Sequence, residues 1–442
     1  MPTFDTIFRG GIVANQDGIG EADIGVTGGR IMEIGDLSQA DAGEAVDCAG
    51  LHILPGVIDT QVHFREPGAE RKEDLETGSR AAVMGGVTAV FEMPNTNPTT
   101  TTAEALADKI RRGTDRMHCD FAFFVGGTRE NVGDLAELER LPGCAGIKVF
   151  MGSSTGTLLV DDDEGVRAVL KAIRRRAPFH SEDEFRLNER KHLRVEGDPA
   201  SHYVWRDAEA AMMCTRRLVA IAREVGARIH VLHVSTAEEM LFLRDHKDVA
   251  TVEATPHHLT FAGPEDYERL GTLIQMNPPV RDAHHRAGVW WGLKQGVVDV
   301  LGSDHAPHTL EEKRQPYPAS PSGMAGVQTL VPVMLDQVAR GELSLARFVD
   351  LTSHGPARIY GIAGKGRIAA GYDADLTVVD LQRRQTITND WIASRCGWTP
   401  YHGIAVTGWP VGTVVRGRRV MWEGEILGPG QGRAVRFQET LG

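Results

Sequence analysis

The sequence predicts an α/β fold, a (β/α)8 TIM-type barrel with a small β-sandwich domain built from both chain termini. The middle of the chain alternates short apolar runs with amphipathic helical patterns, whereas both ends consist of strand-like segments separated by glycine-rich turns. No Gly-x-Gly-x-x-Gly motif follows an early strand, which disfavours a doubly wound open sheet. The 442 residues suffice for one large barrel and a smaller domain.

Both ends of the chain are predicted to form short strands. The expected strands are residues 4–13, 23–27, 30–35, 374–380, 413–416 and 419–422. Because the two ends share this β-rich character and the middle does not, we expect one domain assembled from both termini. The predicted limits are residues 1–52 with 357–442 for this domain and residues 53–356 for the barrel.

The middle of the chain supplies eight apolar strand-like runs with helical patterns between most of them. The expected strands are residues 54–58, 88–93, 120–124, 146–151, 178–180, 228–234, 250–253 and 298–303. The expected helices are residues 75–84, 103–112, 164–175, 208–225 and 237–245. The charged region 183–203 is predicted to form a loop near the mouth of the barrel.

Composition and charge disfavour several classes of protein. Charged residues make up 24% of the chain and hydrophobic residues 41%, as in ordinary soluble proteins. The net charge of −12 disfavours a nucleic-acid partner, which usually requires a basic surface. The sequence contains no run of about 18 apolar residues, so no membrane span is expected. The five cysteines are scattered without a Cys-x-x-Cys pair, which fits a reducing cytoplasm.

Polar side chains lie at the ends of six predicted barrel strands, which is where barrel enzymes place their active sites. These residues are His63, Asn95, Lys148, His180, His233 and Asp304. Any one of them alone would more often be a hydrogen-bonded structural residue, but six at separate strand ends favour a common site. Histidine and aspartate are ligands that suit zinc or a similar divalent ion.

Lys148 is unusual because it lies within the buried-strand pattern Ile147-Lys148-Val149-Phe150-Met151. An unpaired ammonium in such a place is unfavourable by several kcal/mol, and an ammonium cannot bind a metal. The lysine could instead react with carbon dioxide to form an anionic carbamate, which can bridge two cations. The alternative is a structural lysine whose amine reaches the surface.

Three motifs resemble those of the amidohydrolase superfamily, and the resemblance extends over nearly the whole chain. They are Pro55-Gly56-Val57-Ile58-Asp59 followed by Gln61-Val62-His63, Gly146-Ile147-Lys148-Val149-Phe150-Met151, and Gly302-Ser303-Asp304-His305-Ala306-Pro307-His308. The resemblance implies one or two divalent metals per chain, with zinc expected, and makes Asp304 both a ligand and the catalytic general acid and base. The implied metal ligands are His63, a carboxylated Lys148, His180, His233 and Asp304.

One motif departs from the family pattern, which has two histidines, His-x-His, at the end of the first barrel strand. This chain has Gln61 in place of the first histidine. An amide oxygen can bind a cation but is a weaker zinc ligand than imidazole, so Gln61 is the weakest of the expected ligands. The substitution affects the more buried of the two metals that the resemblance implies.

Within the superfamily, the segment His63-Phe64-Arg65-Glu66-Pro67-Gly68 resembles dihydroorotases of the bacterial long-chain type. This resemblance implies a cytoplasmic enzyme of pyrimidine biosynthesis that reversibly hydrolyses the cyclic amide of dihydroorotate to N-carbamoyl-aspartate. The implied substrate-binding residues are Arg65, Asn95 and His308 for the carboxylate, and Asn277, Ala325 and Gly326 for the ring. A guanidinium suits the first of these tasks because it can donate two parallel hydrogen bonds.

Two alternatives stay open at the level of sequence. The first is a dihydropyrimidinase, hydantoinase or allantoinase. Those relatives generally lack the arginine that corresponds to Arg65, and dihydropyrimidinases have a tyrosine soon after the carboxylated lysine, whereas residues 151–156 contain none. The second, motivated by Gln61, is a catalytically impaired dihydroorotase homologue that acts as a partner of aspartate transcarbamoylase. We also expect a homo-oligomer, either a dimer or a tetramer.

Overall fold

The computed structural model describes residues 3–153 and 158–440, and its N-terminal part is built from short strands. These strands are β1 (Thr3–Asn15), β2 (Gly18–Thr27), β3 (Arg30–Gly35), β4 (Asp41–Asp47) and β5 (His52–Pro55). β1 pairs antiparallel with β2, and β2 with β3, so the predicted glycine-containing turns between them close hairpins. Residues 154–156, part of the tyrosine-free segment noted above, lie outside the described residues.

Parallel strands follow and form a barrel. Within the described residues they are β6 (Val57–Val62), β7 (Val87–Glu92), β8 (Asp120–Gly126), β9 (Cys144–Phe150), β10 (Ala177–His180), β11 (Ile229–Val231), β12 (Ala250–Ala254) and β13 (Val300–Leu301). Each strand pairs in parallel with the next one along the chain. A parallel bridge between Val62 and His305 joins the two ends of the sheet. The predicted (β/α)8 barrel is therefore confirmed.

Helices connect most of the barrel strands. They are α1 (Leu75–Met84), α2 (Ala103–Gly113), α3 (Leu135–Leu138), α4 (Asp163–Ala172), α5 (Glu184–Arg190), α6 (Ser201–Trp205), α7 (Ala208–Val225), α8 (Ala237–Arg244), α9 (Pro256–Thr260), α10 (Glu265–Leu270), α11 (Ala283–Lys294), α12 (Leu310–Lys313), α13 (Leu330–Ala339), α14 (Leu345–Val349) and α15 (Gly355–Tyr360). None of the helices in residues 3–153 and 158–440 is long and apolar enough to cross a membrane.

The capping residues explain where the helices begin. α1 and α7 have the predicted bounds because Asp74 and Asp207 precede them and accept hydrogen bonds from backbone N–H groups of the first turn. The prediction of a loop at residues 183–203 was wrong, because α5 and most of α6 lie there. Asp183 caps α5 in the same way, by accepting from the N–H of Arg186, so a capping signal was present in a segment whose charge suggested a loop.

The C-terminal strands return to the N-terminal ones. They are β14 (Leu376–Thr386), β15 (Ala405–Val415), β16 (Arg418–Trp422) and β17 (Glu425–Ile426). In the described residues the sheet order is β17-β16-β15-β14-β5-β1-β2-β3, and β4 pairs with β1. The β-domain built from both termini is thus confirmed, as one nine-stranded, mostly antiparallel sheet. The residue limits proposed above for the two domains stay a prediction.

The predicted strand 54–58 is divided at Gly56, where the chain passes from β5 in the terminal sheet to β6 in the barrel. A Cβ atom at Gly56 would lie 2.3 Å from the Oγ1 atom of Thr88, so only glycine fits at this crossing. The barrel strands begin beside the terminal sheet, and their carboxyl ends, which carry the candidate site, therefore face away from it.

Candidate active site

The predicted strand-end residues converge at the carboxyl end of the barrel. They line a cavity of about 20 Å³, together with Phe150, Ala306, Ser322 and Gly323. The predicted residues in its wall are Gln61, His63, Arg65, Asn95, Lys148, His180, His233, Asn277 and Asp304. Of the other predicted site residues, His308, Ala325 and Gly326 lie outside this wall. A closed ring of parallel strands explains the convergence, because it brings the end of β6 beside the end of β13.

Two of these residues have an unusual backbone conformation. His233 has φ of 36° and Asp304 has φ of 48°, and both follow a barrel strand closely. This left-handed region is uncommon for residues other than glycine, and such strain is concentrated at functional sites. The sharp turn after each strand lets both side chains face the cavity.

The carboxylate of Asp304 contacts both polar residues of the first-strand motif. Gln61 donates a hydrogen bond from Nε2 to Asp304 Oδ1 at 3.0 Å, and His63 Nε2 lies 3.2 Å from the same oxygen. The Nδ1 atom of His63 lies 2.7 Å from Asn95 Oδ1. Burial lowers the pKa of His63, which favours the neutral imidazole with one N–H and one lone pair.

His180 and His233 form the other side of the cavity. His180 Nδ1 lies 3.1 Å from His233 Nε2, and His180 Nε2 lies 2.9 Å from Glu182 Oε2. Burial alone would raise the pKa of Glu182, but the charge of Arg206 and the contact with His180 together outweigh burial and lower that pKa. An ionised Glu182 accepts a hydrogen bond from the Nε2–H group of His180. The Nδ1 atom of His180 then has a lone pair that can bind a cation.

Glu182 is a residue of the site that was not predicted from the sequence. Its signal was nonetheless local, because Glu182 stands two residues after His180 on the same strand end. The role of Arg206 had no comparable signal, since it follows α6 and reaches Glu182 only in the folded chain.

The amine of Lys148 is buried and has no hydrogen-bond partner among the described residues. Its Nζ atom lies 4.2 Å from the centre of the Phe150 ring. Burial lowers the pKa of Lys148 well below its usual value, although the charges of Asp304 and Glu253 oppose the shift. The amine is thereby shifted toward its neutral form, which has the lone pair needed to react with carbon dioxide.

The donor atoms of the cavity fit a divalent metal. Two ring nitrogens, of His180 and His233, face each other, and Lys148 Nζ and Gln61 Oε1 are buried without hydrogen-bond partners within the described part of the chain. Buried polar atoms are normally paired, and a cation that accepts their lone pairs accounts for such an exception. Imidazole nitrogens with a carboxylate are a donor set that zinc prefers.

A cationic group lies beside these donors. Arg65 donates from Nε to the carbonyl oxygen of Pro307 at 3.0 Å, and its Nη2 atom is 3.3 Å from His308 Nε2. Burial lowers the pKa of Arg65 to about 10, so the guanidinium keeps its charge at neutral pH. Burial and the charge of Arg65 hold the pKa of His308 well below its ordinary value. Arg65 therefore presents a positive charge to the cavity, and the neutral imidazole of His308 lies beside it.

Two further residues orient His308. Lys72 Nζ lies 2.9 Å from His308 Nδ1, and the Nε2 atom of His308 lies 3.0 Å from the carbonyl oxygen of Ser322. Lys72 and Ser322 were not predicted, because neither stands at a strand end. His308 thus contributes to the site from behind Arg65, and its direct contact with a substrate stays a prediction.

The predicted ring-binding residues occupy different places. Asn277 lines the cavity and lies between it and an adjoining cavity of about 210 Å³, and its Oδ1 atom accepts a hydrogen bond from His202 at 2.9 Å. The N–H of Gly326 donates to His305 Nδ1 at 3.0 Å and so is already occupied. The proposed backbone contacts of Ala325 and Gly326 with a substrate ring stay predictions.

A second group of potential metal ligands lies on the surface. It consists of Glu238, His284 and His285, at the N-terminal ends of α8 and α11. The Nδ1 atom of His285 already accepts the N–H of Ala237 at 3.2 Å, and the positive ends of two helix dipoles disfavour a cation. This group is separate from the barrel site.

Comparisons with known proteins bear on the family of the chain. A model of the Amidohydrolase family matches residues 52–420. The chain is 38% identical over 432 residues to the dihydroorotase of Methanosarcina mazei, with 93% of each protein covered. It is 32% identical over 447 residues to the allantoinase of Deinococcus radiodurans, covering 98% of this chain and 99% of that one.

The fold also matches solved structures. The L-hydantoinase (dihydropyrimidinase) from Arthrobacter aurescens has a TM-score of 0.93 at 30% identity, with 98% of this chain and 99% of that chain covered. The match therefore includes the terminal sheet as well as the barrel. On the family match and these identities over nearly the full length, the chain belongs to the amidohydrolase family.

Proposed function

We propose that the protein is a dihydroorotase of pyrimidine biosynthesis, which reversibly hydrolyses the cyclic amide of dihydroorotate to N-carbamoyl-aspartate. The observation that carries this proposal is the buried Arg65, which lies with His308 beside the candidate metal ligands. Among dihydroorotate, dihydrouracil, hydantoin and allantoin, only dihydroorotate carries a ring carboxylate. The 38% identity to a dihydroorotase supports the same choice.

We further propose that the site holds one or two zinc ions. The proposed ligands are His63, carboxylated Lys148, His180, His233 and Asp304, with Gln61 as a weak additional ligand. The carbamate would form when the neutral Lys148 amine bonds to the carbon of carbon dioxide and releases one proton. When bound, the metal would lower the pKa of a water molecule and polarise the scissile carbonyl.

Asp304 is the proposed proton carrier. Its carboxylate faces the cavity between Gln61 and His63, where it can take a proton from the attacking water and deliver it to the leaving ring nitrogen. In the biosynthetic direction the same carboxylate would move the proton the opposite way. The carboxylate keeps this role in both directions because it takes up one proton and delivers one proton in each complete turnover.

Substrate orientation is assigned to the groups around Arg65. Arg65, Asn95 and His308 would hold the ring carboxylate, which fixes the amide carbonyl against the histidines. Asn277 and the backbone of Ala325 and Gly326 would contact the ring. Because the cavity of about 20 Å³ has room for about one water-sized group, a ring would extend past Asn277 into the adjoining space.

The test is an assay of the metal-loaded protein with all four cyclic amides. Arg65→Met should lose about 3 kcal/mol of transition-state stabilisation with dihydroorotate, because a buried charged hydrogen bond is left unmade. Arg71→Met, which changes an exposed arginine six residues away, is the matched control and should retain turnover. Equal wild-type activity on dihydrouracil and dihydroorotate would contradict the assignment.

Gln61 is the one observation that favours a second candidate, a catalytically impaired dihydroorotase homologue that associates with aspartate transcarbamoylase. Absence of turnover with any of the four amides, together with co-sedimentation with that enzyme, would support it. We also propose a homo-oligomer of two or four chains, and a cytoplasmic location that rests on the resemblance and on the scattered cysteines. Analytical ultracentrifugation and cell fractionation measure them directly.

A further inference from the structure

A segment of the terminal domain reaches the mouth of the barrel. Residues 389–401, here called the 389–401 segment, lie in the chain between β14 and β15. Its two largest buried side chains, Trp398 and Tyr401, are each 1% exposed. Trp398 donates from Nε1 to the carbonyl oxygen of His308 at 2.8 Å, and the Tyr401 hydroxyl lies 3.0 Å from His257 Nδ1. The segment therefore contacts a loop and helix α9 of the barrel.

The same segment also holds the loop that follows Arg65. Ser394 donates from its hydroxyl to Glu73, and the N–H of Arg395 donates to the same carboxylate at 3.1 Å. Next to Glu73 stands Lys72, whose Nζ atom lies 2.9 Å from His308 Nδ1. One short segment thus connects both loops that form the cationic end of the site.

The contact of Trp398 is the most direct of these. Arg65 is held by the carbonyl of Pro307, and Trp398 holds the carbonyl of the next residue, His308. A buried carbonyl that loses its donor is unfavourable and tends to turn toward another partner. Such a turn would move the peptide between His308 and Thr309. The backbone of His308 links that peptide to the Pro307 carbonyl, which accepts the hydrogen bond of Arg65 Nε.

We propose that Trp398 is a positioning residue that sets the geometry of Arg65 and His308, and so determines the preference of the site for a ring that carries a carboxylate. The inference rests on the proposed function, because dihydroorotate supplies that carboxylate. A purely structural tryptophan would affect the stability of the fold and all ring ligands alike. A positioning role affects anionic ligands selectively.

Trp398→Phe separates these roles because it keeps an aromatic ring and removes the N–H donor. The matched control is Trp391→Phe in the same segment, whose ring packs against Trp409 with centroids 4.4 Å apart, away from the cavity. The probes are orotate and uracil, which share a ring and differ by the carboxylate. Binding to the metal-loaded protein is measured by calorimetry.

Orotate should bind Trp398→Phe about tenfold more weakly than wild type, a factor that corresponds to about 1.4 kcal/mol. Uracil binding and the Trp391→Phe control should be unchanged. With dihydroorotate, the loss should occur in KM while kcat stays near the wild-type value. Wild-type orotate affinity in Trp398→Phe, or equal losses for orotate and uracil, would overturn the inference.

The two proposals fail in different ways. A wild-type protein that binds orotate selectively but does not turn over dihydroorotate refutes the proposed function and leaves the role of Trp398 supported by the binding result. Circular dichroism shows whether Trp398→Phe folds. If Trp398→Phe does not fold, Ser394→Ala is the second variant to test, because it removes the hydrogen bond from the 389–401 segment to Glu73 without opening a large cavity. It should weaken orotate binding several-fold and leave uracil unchanged, and unchanged orotate binding would again overturn the inference.

Discussion

Lys148 and Gln61 are the residues whose surroundings decide the chemistry of the candidate site. Lys148 Nζ has no hydrogen-bond partner among the described residues, and burial lowers the pKa of this amine well below its usual value. Gln61 donates one hydrogen bond from its side-chain Nε2 to Asp304, and its Oε1 atom is buried without a partner within residues 3–153 and 158–440. Both are polar groups that the fold keeps out of water. Burial of such a group is unfavourable unless a partner compensates for the lost contact with water.

We predict that Lys148 is carboxylated when metal is bound. Metal-loaded wild type supplied with ¹³C-bicarbonate should give a carbamate NMR signal, and Lys148→Ala should lack the signal, most of the metal and turnover. Lys294→Ala, at a surface lysine that is 46% exposed, should keep all three. An ammonium at Lys148 in an active, metal-loaded enzyme would contradict the prediction.

We also predict that wild type holds either one metal tightly or two with unequal affinities, because Gln61 replaces an imidazole. Gln61→His should raise the affinity for the weaker metal about tenfold or more, since about 1.4 kcal/mol suffices for that factor. It also removes the Gln61 donor from Asp304. Metal titration with turnover assays measures both effects.

A control for the added histidine is Gln337→His, at a partly buried glutamine of α13 outside the cavity wall, and it should leave metal binding unchanged. Two equally tight metals in wild type would count against the prediction. If Gln61→His gains metal and hydrolyses none of the cyclic amides, the non-catalytic alternative is favoured instead.

At the scale of elements, α6 shows how a misassigned segment contributes to the site. Its residue His202 is buried and lies within hydrogen-bonding distance of both Asn277 and Tyr317. Burial lowers the pKa of His202 from 6.5 to about 3. The charged composition of residues 183–203 suggested a loop, but capping by Asp183 and burial of residues such as His202 outweigh it.

This pKa predicts how stability depends on pH. Because the unfolded chain protonates His202 near pH 6.5 and the folded chain only near 3, the stabilisation is complete above 6.5 and declines as the pH falls between these values. The decline is at most about 1.4 kcal/mol per pH unit for one histidine. His202→Gln should remove this decline. The unfolding free energy of the variant should therefore fall less steeply with decreasing pH than that of wild type.

Urea unfolding at several pH values between these limits measures the difference, and the shared titrations of other groups cancel in the comparison. His192→Gln, at an exposed histidine, is the control and should follow wild type. Parallel pH profiles for wild type and His202→Gln would contradict the prediction.

At the scale of the whole molecule, a buried ion cluster joins the terminal sheet to the barrel. Lys365 contacts Asp120, at the start of β8, at 2.7 Å, and it also pairs with Asp375, next to the start of β14. Arg416, which follows β15, pairs with Asp120 from the other side. The side chains of Lys365, Asp120 and Asp375 are at most 4% exposed. The cluster lies at the end of the barrel opposite the candidate site.

We predict that the two parts unfold in one transition and that Lys365→Met destabilises the whole chain by about 3–5 kcal/mol, because it removes the cationic partner of the buried Asp375 and leaves Asp120 with Arg416 alone. Lys294→Met breaks a surface pair with Glu342 and should change the unfolding free energy by about 0–1 kcal/mol. Calorimetry and denaturant titration measure both. Two separate transitions, or equal effects of the two variants, would contradict the prediction.

The sequence by itself determined the barrel, the terminal β-domain and the strand-end residues. The period of the hydrophobic pattern and the position of a residue at a strand end are local properties of the sequence. They could therefore be read for His63, Lys148, His233 and Asp304 before any contact was known. The parallel barrel then requires their ends to meet, which the cavity confirms. The family resemblance added Arg65 to the predicted site and showed that Gln61 departs from the His-x-His pattern.

The tertiary structure decided the groups that hold these residues in place. Arg206 reaches Glu182, Lys72 reaches His308, and Trp398 reaches the same loop from a segment of the terminal domain 90 positions along the chain. None of these contacts has a local pattern, because a hydrogen bond between distant segments depends on how the elements pack and not on spacing in the sequence. The sequence therefore determines which side chains can carry chemistry, while packing decides their charge and orientation.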